Sequence, residues 1–232
     1  MQQLATDAIA PRRDDSLYFT RAFGWMAAGL AITGGVAYVV GNDEALLHVL
    51  FAAGKPVFIG LLIVEVLLVM GLVTLVQHMN LFAAAVIFLG YAALNGLTFS
   101  TIFAVFTTQS IFSTFLVTAG MFAFLALWGA TTKRDLTSWG NLLLGALVGQ
   151  LIGLFVNLFW FNSTLYWVTT ATGVLIFSAY TAYDVQRLKQ YQVPGDPSDP
   201  AVEKAAIVGA LALYLDFVNL FLYLLRLLGR RK

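Results

Sequence analysis

The chain has 232 residues, of which 60% are hydrophobic and 11% are charged, with a net charge of +1 and no cysteine. A soluble domain carries about 25% charged residues, so this composition excludes one and indicates a single-domain integral membrane protein. The small net charge argues against nucleic-acid binding. The lack of cysteine excludes disulfides, thiolate chemistry and cysteine-based metal sites.

Apolar runs of roughly 20 residues, the length that crosses a bilayer, predict an all-α protein with seven transmembrane helices. The segment before the first run mixes acidic and basic residues and does not resemble a signal peptide. We therefore divide the chain into a cytoplasmic N-terminal tail, 1–18, and a membrane domain, 19–232. The predicted spans are about 20–40, 56–76, 81–106, 111–131, 139–160, 165–184 and 205–228.

The basic residues predict a cytoplasmic N-terminus. With this orientation the external loops hold only Lys55, but the segment 226–232 adds four basic residues outside. Either this tail is tolerated there or the last segment does not cross fully, and we favour seven crossings. The cytoplasmic segments hold Arg12, Arg13, Arg21, Lys133, Arg134, Arg187, Lys189 and Lys204.

The fifth span carries glycines at four-residue spacing, Gly145, Gly149 and Gly153. Such a face lets a neighbouring helix backbone come close. We predict that it packs against another helix of the same chain, and a dimer face is the alternative.

Asp216 lies in the middle of the last apolar run and has no basic residue within one helical turn. An ionised carboxylate at bilayer depth costs several kcal/mol unless it is paired or hydrated. Asp216 is therefore the first candidate for a functional residue.

Two further acids lie in predicted spans. Glu65 is nine residues into the second span, about 13 Å deep by helical rise. It is a candidate site residue, or else a protonated acid hydrogen-bonded to a neighbouring Asn or Ser. Asp184 closes the sixth span and is either a functional partner of Asp216 or an interfacial residue paired with Arg187.

Two carboxyl groups brought together at low dielectric share a proton and titrate as a unit. Such a pair suits a pH sensor, a proton relay, a divalent-cation site or an aspartyl protease. Upright helices leave Asp184 and Asp216 about 10 Å apart in depth. Their pairing therefore requires a tilted or longer sixth helix.

Four segments together resemble the transmembrane Bax-inhibitor-motif family (Bax inhibitor, or Lifeguard), in its bacterial branch. They are NGLT at 95–98, GATTKRDL at 129–136, YDVQRLK at 183–189 and LYLDFVNLF at 213–221. The resemblance implies seven helices with the last one central, wrapped by the other six. It also implies a leak path for cations, notably Ca²⁺, in the bacterial inner membrane. In this path Asp184 and Asp216 would form the pH sensor and gate, and Glu65 would line the route.

The chain departs from that family at the cytoplasmic end of the second helix. Some bacterial members have basic residues there, one of which latches onto the sixth-helix aspartate. This chain has Gln77 and His78 instead. Here His78 supplies at most a titratable latch, and a solvated loop histidine is the alternative.

The leading interpretation is thus a pH-sensitive cation leak channel without a resident cofactor, in which Asp216 and Glu65 offer oxygen ligands to a passing ion. An aspartyl protease is the less favoured reading, because the Asp216 segment lacks flanking glycines and a following Pro-Ala-Leu. A third reading is a binding protein that modulates a membrane protease or stress partner. Besides cations and such a partner, we expect contacts with membrane lipids.

The sign of pH gating has two possible outcomes. If a proton shared by Asp184 and Asp216 holds the path closed, raising the pH opens it. If an ionised Asp184 bonded to Arg187 or His78 holds it closed, lowering the pH opens it. The missing arginine latch favours the first outcome.

Overall fold

The protein is described here from a computed structural model that covers residues 13–52, 54–190 and 199–232. The described residues form α-helices throughout, apart from one short 3-10 helix, Val76–His78, and the connecting turns. In chain order the α-helices are α1 (Arg13–Asn42), α2 (Glu44–Ala52), α3 (Gly54–Leu75), α4 (Leu81–Ser100), α5 (Ile102–Val105), α6 (Thr108–Thr131), α7 (Trp139–Phe159), α8 (Ser163–Gln190) and α9 (Pro200–Leu228).

Six of the described helical segments are long and apolar enough to cross a membrane, where the sequence predicted seven. The predicted span at 165–184 is present as part of α8, but α8 is less apolar than the other long helices. The predicted span at 81–106 is divided at Thr101 into α4 and the short α5. An unpredicted helix, α2, occupies the connection between the first two spans.

The predicted N-terminal tail falls only partly within the description, because residues 1–12 lie outside it. α1 is already helical from Arg13, so the expected boundary at residue 18 lies inside a helix. The expected connection between the last two spans lies largely in 191–198, also outside the described residues. α9 begins at Pro200, with Asp199 as its N-cap, five residues before the predicted start.

α9 is the most buried of the long apolar helices. In its most apolar window 67% of the residues are buried, against 11–33% in the other five candidate spans. It packs against α1, α4, α6 and α8. Tyr214, which is fully buried, stacks edge-on against Phe88 and Tyr91 of α4. α9 therefore contributes a large share of the buried side chains among the described residues.

The glycine face of α7 does not pack as predicted. An added Cβ would meet no atom within 4 Å at Gly145 or Gly149, whereas at Gly153 it would come within 2.9 Å of Thr169 Cγ2. Only one of the three glycines therefore allows a close approach to α8. Gln150 of the same helix provides the polar contact, donating to Thr169 O at 2.6 Å.

The C-terminal tail is fastened to the turn between α5 and α6. Arg231 forms an antiparallel bridge with Phe106, and Lys232 N donates to Val105 O at 2.9 Å. At the other end of α9, Lys204 Nζ donates to Met79 O in the turn before α4, at 3.1 Å. α9 thus runs from the turn before α4 to the turn between α5 and α6.

Candidate functional site

Asp216 is deeply buried near the middle of α9. It follows Pro200 by 16 residues, about 24 Å along a helix about 43 Å long. Its side chain is 4% exposed. Its Oδ2 atom is the one buried side-chain N or O atom, among the residues described, that has no hydrogen-bond partner. An unsatisfied buried oxygen of this kind costs about 1–3 kcal/mol and calls for an explanation.

The structure brings Asp184 and Asp216 together. The two carboxyl groups lie within side-chain hydrogen-bonding reach of each other, across the packed pair of α8 and α9. Ionised carboxylates only accept hydrogen bonds, so a hydrogen bond between these two groups requires a proton on one of them. The site can therefore hold one shared proton.

A close helix approach solves the difference in depth expected from the sequence. Leu188 of α8 lies directly against Gly209 of α9. It occupies the space that a Cβ at residue 209 would need. Asp184 lies four residues before Leu188 in α8, a rise of about 6 Å. Asp216 lies seven residues after Gly209 in α9, a rise of about 10 Å in the same direction. The remaining difference of about 4 Å is within the reach of two aspartate side chains.

Two further groups of α8 interact with the aspartates. Tyr180, one turn before Asp184, interacts electrostatically with both carboxyl groups. Arg187, one turn after Asp184, is exposed and also acts on it electrostatically. Because Arg187 lies on the same helix, it can approach Asp184 without bridging α8 to α9. Of these charged groups, Asp184 and Asp216 are the two that interact across the interface between α8 and α9.

Glu65 belongs to a separate polar cluster. It is 8% exposed and accepts a hydrogen bond from Thr98 Oγ1 at 2.7 Å. Near it, the Tyr214 hydroxyl is 2.6 Å from Thr33 Oγ1, and Asn95 donates to the Tyr91 hydroxyl at 3.1 Å. We call these six residues the Glu65 cluster; it joins α1, α3, α4 and α9.

The structure does not unite the three acids in one ligand set. Within the described ranges no three His, Cys, Asp or Glu side chains lie close enough to hold a metal ion. Glu65 is bonded to Thr98, and Asp216 faces Asp184. The two expected oxygen ligands, Glu65 and Asp216, therefore lie at separate positions. α9 contributes to both, with Tyr214 in the Glu65 cluster and Asp216 beside Asp184.

The predicted latch residues lie at the surface. Gln77 and His78 are exposed in the short 3-10 helix after α3. The interactions of this turn with α9 come instead from Lys204, whose Nζ donates to the backbone carbonyls of Gln77 at 3.4 Å and Met79 at 3.1 Å. The sequence marked Lys204 only as a cytoplasmic basic residue.

Two more tethers lie at this end of the bundle, and sequence reasoning missed both. Glu203 of α9 is bound by Arg21 Nη1 at 2.7 Å and by Trp25 Nε1 at 2.6 Å. Gln186 of α8 accepts from Leu136 N at 2.7 Å and donates to Arg134 O at 2.8 Å. The sequence offered one signal for each tether. Glu203 is a charged residue at the start of an apolar helix, and Gln186 lies two residues from Asp184. These contacts fasten both helices of the aspartate pair.

Comparison with known proteins relates the chain to one family over nearly its whole length. The family described as "Inhibitor of apoptosis-promoting Bax1" matches residues 16–232. Inner membrane protein YbhL of Escherichia coli K12 is 44% identical over 226 residues, covering 97% of this chain and 96% of that protein. An uncharacterised protein of Deinococcus radiodurans is 37% identical, covering 98% and 96%. An uncharacterised membrane protein of Streptococcus pyogenes is 33% identical, covering 92% of each.

Proposed function

The chain belongs to the Bax inhibitor family, and from this premise we propose that it is a pH-sensitive cation leak channel gated by Asp184 and Asp216. The observation that carries the proposal is the contact between the two carboxyl groups at the centre of the bundle. A carboxyl pair is costly at this depth. A buried acid without a lysine or arginine across the helix interface is typical of an ion or proton route.

The proposed architecture has seven crossings with α9 at the centre. α8 is about 42 Å long, enough to cross the roughly 30 Å hydrocarbon core. Near its start the Tyr166 hydroxyl accepts from Arg231 of the C-terminal tail at 3.3 Å, and near its end Lys189 Nζ donates to Ala130 O at 2.6 Å. These contacts support α8 as a span that connects opposite ends of the bundle.

The lower hydropathy of α8 fits a helix that turns polar groups inward. Thr169, Thr170 and Thr181 are buried, and each hydroxyl donates to a carbonyl one turn earlier in α8. Hydroxyl groups satisfied in this way are tolerated within a membrane. The composition of α8 is therefore compatible with a span that faces its neighbours more than lipid.

The proposed location is a bacterial inner membrane, with the N-terminus in the cytoplasm. The name of the Escherichia coli relative places that protein in the inner membrane. The distribution of basic residues supports the orientation, since the turn at 132–138 and the end of α8 carry Lys133, Arg134, Arg187 and Lys189. With this orientation the aspartate pair lies nearer the cytoplasmic end of α8.

The gate works through the shared proton. At low pH one proton between Asp184 and Asp216 allows the carboxyl groups to touch, and α8 stays against α9. Loss of this proton as the pH rises leaves two negative charges within a few ångströms at low dielectric, which repel each other. The repulsion separates the helices at their cytoplasmic half and opens the path.

The transported ion in this proposal is a hard cation, with Ca²⁺ as the leading candidate. Carboxylate oxygens are the ligands that Ca²⁺ prefers, and the freed Asp184 and Asp216 carboxylates would offer them. Two carboxylates hold the ion weakly enough to release it. The Glu65 cluster provides a second polar position, joined to α9 through Tyr214, at which an ion or its water is accommodated.

Flux into liposomes tests the proposal. Purified protein is reconstituted into vesicles loaded with a Ca²⁺ indicator, and Ca²⁺ entry is recorded between pH 6 and pH 8. We expect entry above that of protein-free vesicles and increasing with pH. Entry equal to the protein-free rate at every pH would overturn the channel function. Entry that decreases with pH would show that Asp184 paired with Arg187 holds the path closed.

A further inference from the structure

A large apolar cleft lies on the side of the bundle away from α7 and α8. Its volume is about 610 Å³, and it lies between α1 and α6, with α9 as its floor and α5 at one end. Its walls include Gly34 and Tyr38 of α1 and Phe112 and Phe115 of α6, and its floor includes Phe217 and Val218 of α9. The lining contains neither Asp184 nor Asp216, and of the Glu65 cluster it includes Thr33 alone, so the proposed gate does not explain the rest of this apolar surface.

The cleft is open to the surroundings of the protein. Tyr38 is 57% exposed and Phe112 64% exposed on its two rims. Gly34 and Gly35 are exposed, and a Cβ added to either would meet no atom within 4 Å. In a membrane the space beside these residues is filled by hydrocarbon. The surface of the cleft is therefore suited to an apolar chain rather than to water.

The depth of the cleft matches one leaflet of a bilayer. Its lining extends along α1 from Ala27 to Tyr38, a rise of about 16 Å. The hydrocarbon core is about 30 Å thick, so half of it is about 15 Å. A single lipid chain that entered at the α5 end would extend to the bottom of the cleft.

Positive charge lies at that same end. The tail 229–232 is held beside the cleft by its backbone: Thr107 N donates to Arg230 O at 3.0 Å, and Arg230 N donates to Ser110 Oγ at 2.8 Å. Thr108, which follows Thr107 and begins α6, lines the cleft. The side chains of Arg230 and Lys232 are exposed. The one ion pair in the described part of the chain, Arg21–Glu203, is at the opposite end of α9.

We propose that the cleft and the basic tail together form a binding site for an anionic phospholipid. One acyl chain occupies the cleft against Phe112 and Phe217, and the phosphate lies beside Arg230 and Lys232. Each basic residue near an anionic lipid surface contributes about 1 kcal/mol, and two such residues correspond to a preference of about 30-fold over a zwitterionic lipid. The site would also explain why a basic tail is retained at this end of the protein.

Native mass spectrometry of the detergent-purified full chain tests this site without reference to ion conduction. The protein is titrated separately with phosphatidylglycerol and with phosphatidylcholine. We expect one phosphatidylglycerol bound, about 30-fold more tightly than phosphatidylcholine. Gly34→Leu places a side chain in the cleft and should weaken both lipids about tenfold or more. Gly145→Leu, at an equally open glycine of α7 outside the cleft, should bind like the wild type.

A second variant keeps the test independent of folding in the core. The double substitution Arg230→Gln with Lys232→Gln is confined to the exposed tail, and it should remove the preference for phosphatidylglycerol while leaving chain binding intact. Equal binding of the two lipids by the wild type would overturn the proposal. So would wild-type affinity in Gly34→Leu, or a wild-type dimer that Gly34→Leu converts to a monomer, since a second copy would then cover the cleft.

Discussion

Asp216 and Glu65 show how differently two acids can be buried in the same bundle. Glu65 accepts a hydrogen bond from Thr98, so its burial is partly compensated. Asp216 is 4% exposed, leaves Oδ2 without a partner and faces a second acid. A structural role is enough to explain the first arrangement. The second arrangement costs stability, and the gate proposed above would give it a function.

The bond between Thr98 and Glu65 should be measurable as stability. Replacing Thr98 with valine keeps its shape but leaves the buried Glu65 oxygen without its donor, which should cost about 1–3 kcal/mol. Thermal unfolding in detergent provides the measurement. Thr74→Val is the matched control, because the exposed Thr74 hydroxyl bonds only to Met70 O of its own helix. Equal losses in the two variants would show that the Glu65 bond contributes nothing specific.

His78 should contribute little to gating. It is exposed, and Lys204 makes the contacts that join its turn to α9. His78→Ala should therefore leave the pH midpoint of flux almost unchanged in reconstituted vesicles. A change of about one pH unit, equivalent to ~1.4 kcal/mol of interaction with the gate, would identify the histidine as a latch.

At the scale of elements, the aspartate pair depends on how closely α8 approaches α9. Gly209 allows this approach, since Leu188 occupies the space that a Cβ would take. Lys204 and Glu203 hold the beginning of α9, and Gln186 holds the end of α8. In the proposed gate, separation of α8 from α9 at this end would therefore stretch or break some of these tethers.

Gly209→Leu should separate the two helices. Overpacking at a close contact costs about 1–3 kcal/mol, and the aspartates should lose contact as α8 moves outward. We expect a lower unfolding temperature together with a higher Ca²⁺ flux at pH 6. Gly90→Leu in α4, where an added side chain meets open space, is the control. A destabilised variant with wild-type flux at pH 6 would show that the contact between α8 and α9 does not control the gate.

The sequence was sufficient for the long apolar elements and less informative about their ends. Hydrophobic length predicted the long apolar helices, whose composition depends on the surrounding lipid. It did not predict α2, the break at Thr101 or the early start of α9 at Pro200, because these are set by local capping and tertiary contacts. Of the three α7 glycines at four-residue spacing, only Gly153 lies against α8.

The candidate site was predictable as a set of residues rather than as a geometry. Charge in an apolar run marked Glu65 and Asp216, because that signal is independent of packing. Whether Glu65 joins the aspartates depends on the rotation of α3, which no local pattern reports. The resemblance to the family supplied the pairing of Asp184 with Asp216. The relative shift of α8 and α9 that permits this pairing depends on Gly209, which the sequence did not single out.

At the scale of the whole molecule, the proposed topology places the two ends of α9 on opposite sides of the membrane. Lys204 lies beside the turn at 76–80, and Arg231 pairs with Phe106. A basic external tail opposes the usual charge distribution. Its hydrogen bonds to the turn after α5 give a structural reason for its position.

Cysteine labelling tests this topology in a chain that has no native cysteine. Lys232→Cys should react with a membrane-impermeant maleimide added to intact spheroplasts. Asp135→Cys, in the turn between α6 and α7, should react only after the membrane is permeabilised. Labelling of both residues from the same side would mean that α8 or α9 does not cross.

The central claim is that Asp184 and Asp216 together make the flux sensitive to pH. The most direct test is Ca²⁺ flux at pH 6 and pH 8 through wild-type protein, Asp184→Asn and Asp216→Asn in the same vesicles. Asp135→Asn is the control, because hydrogen bonds from Thr137 lower the pKa of this exposed loop carboxyl. Asp135 therefore stays ionised at both values and loses its charge only at lower pH.

Wild-type and Asp135→Asn flux should increase from pH 6 to pH 8, as the shared proton is lost. Asp216→Asn should show nearly the same flux at both values, because an amide cannot complete the titrating pair, and Asp184→Asn should behave in the same way or retain a small slope. A wild-type pH profile in Asp216→Asn would contradict the account, whatever the absolute flux.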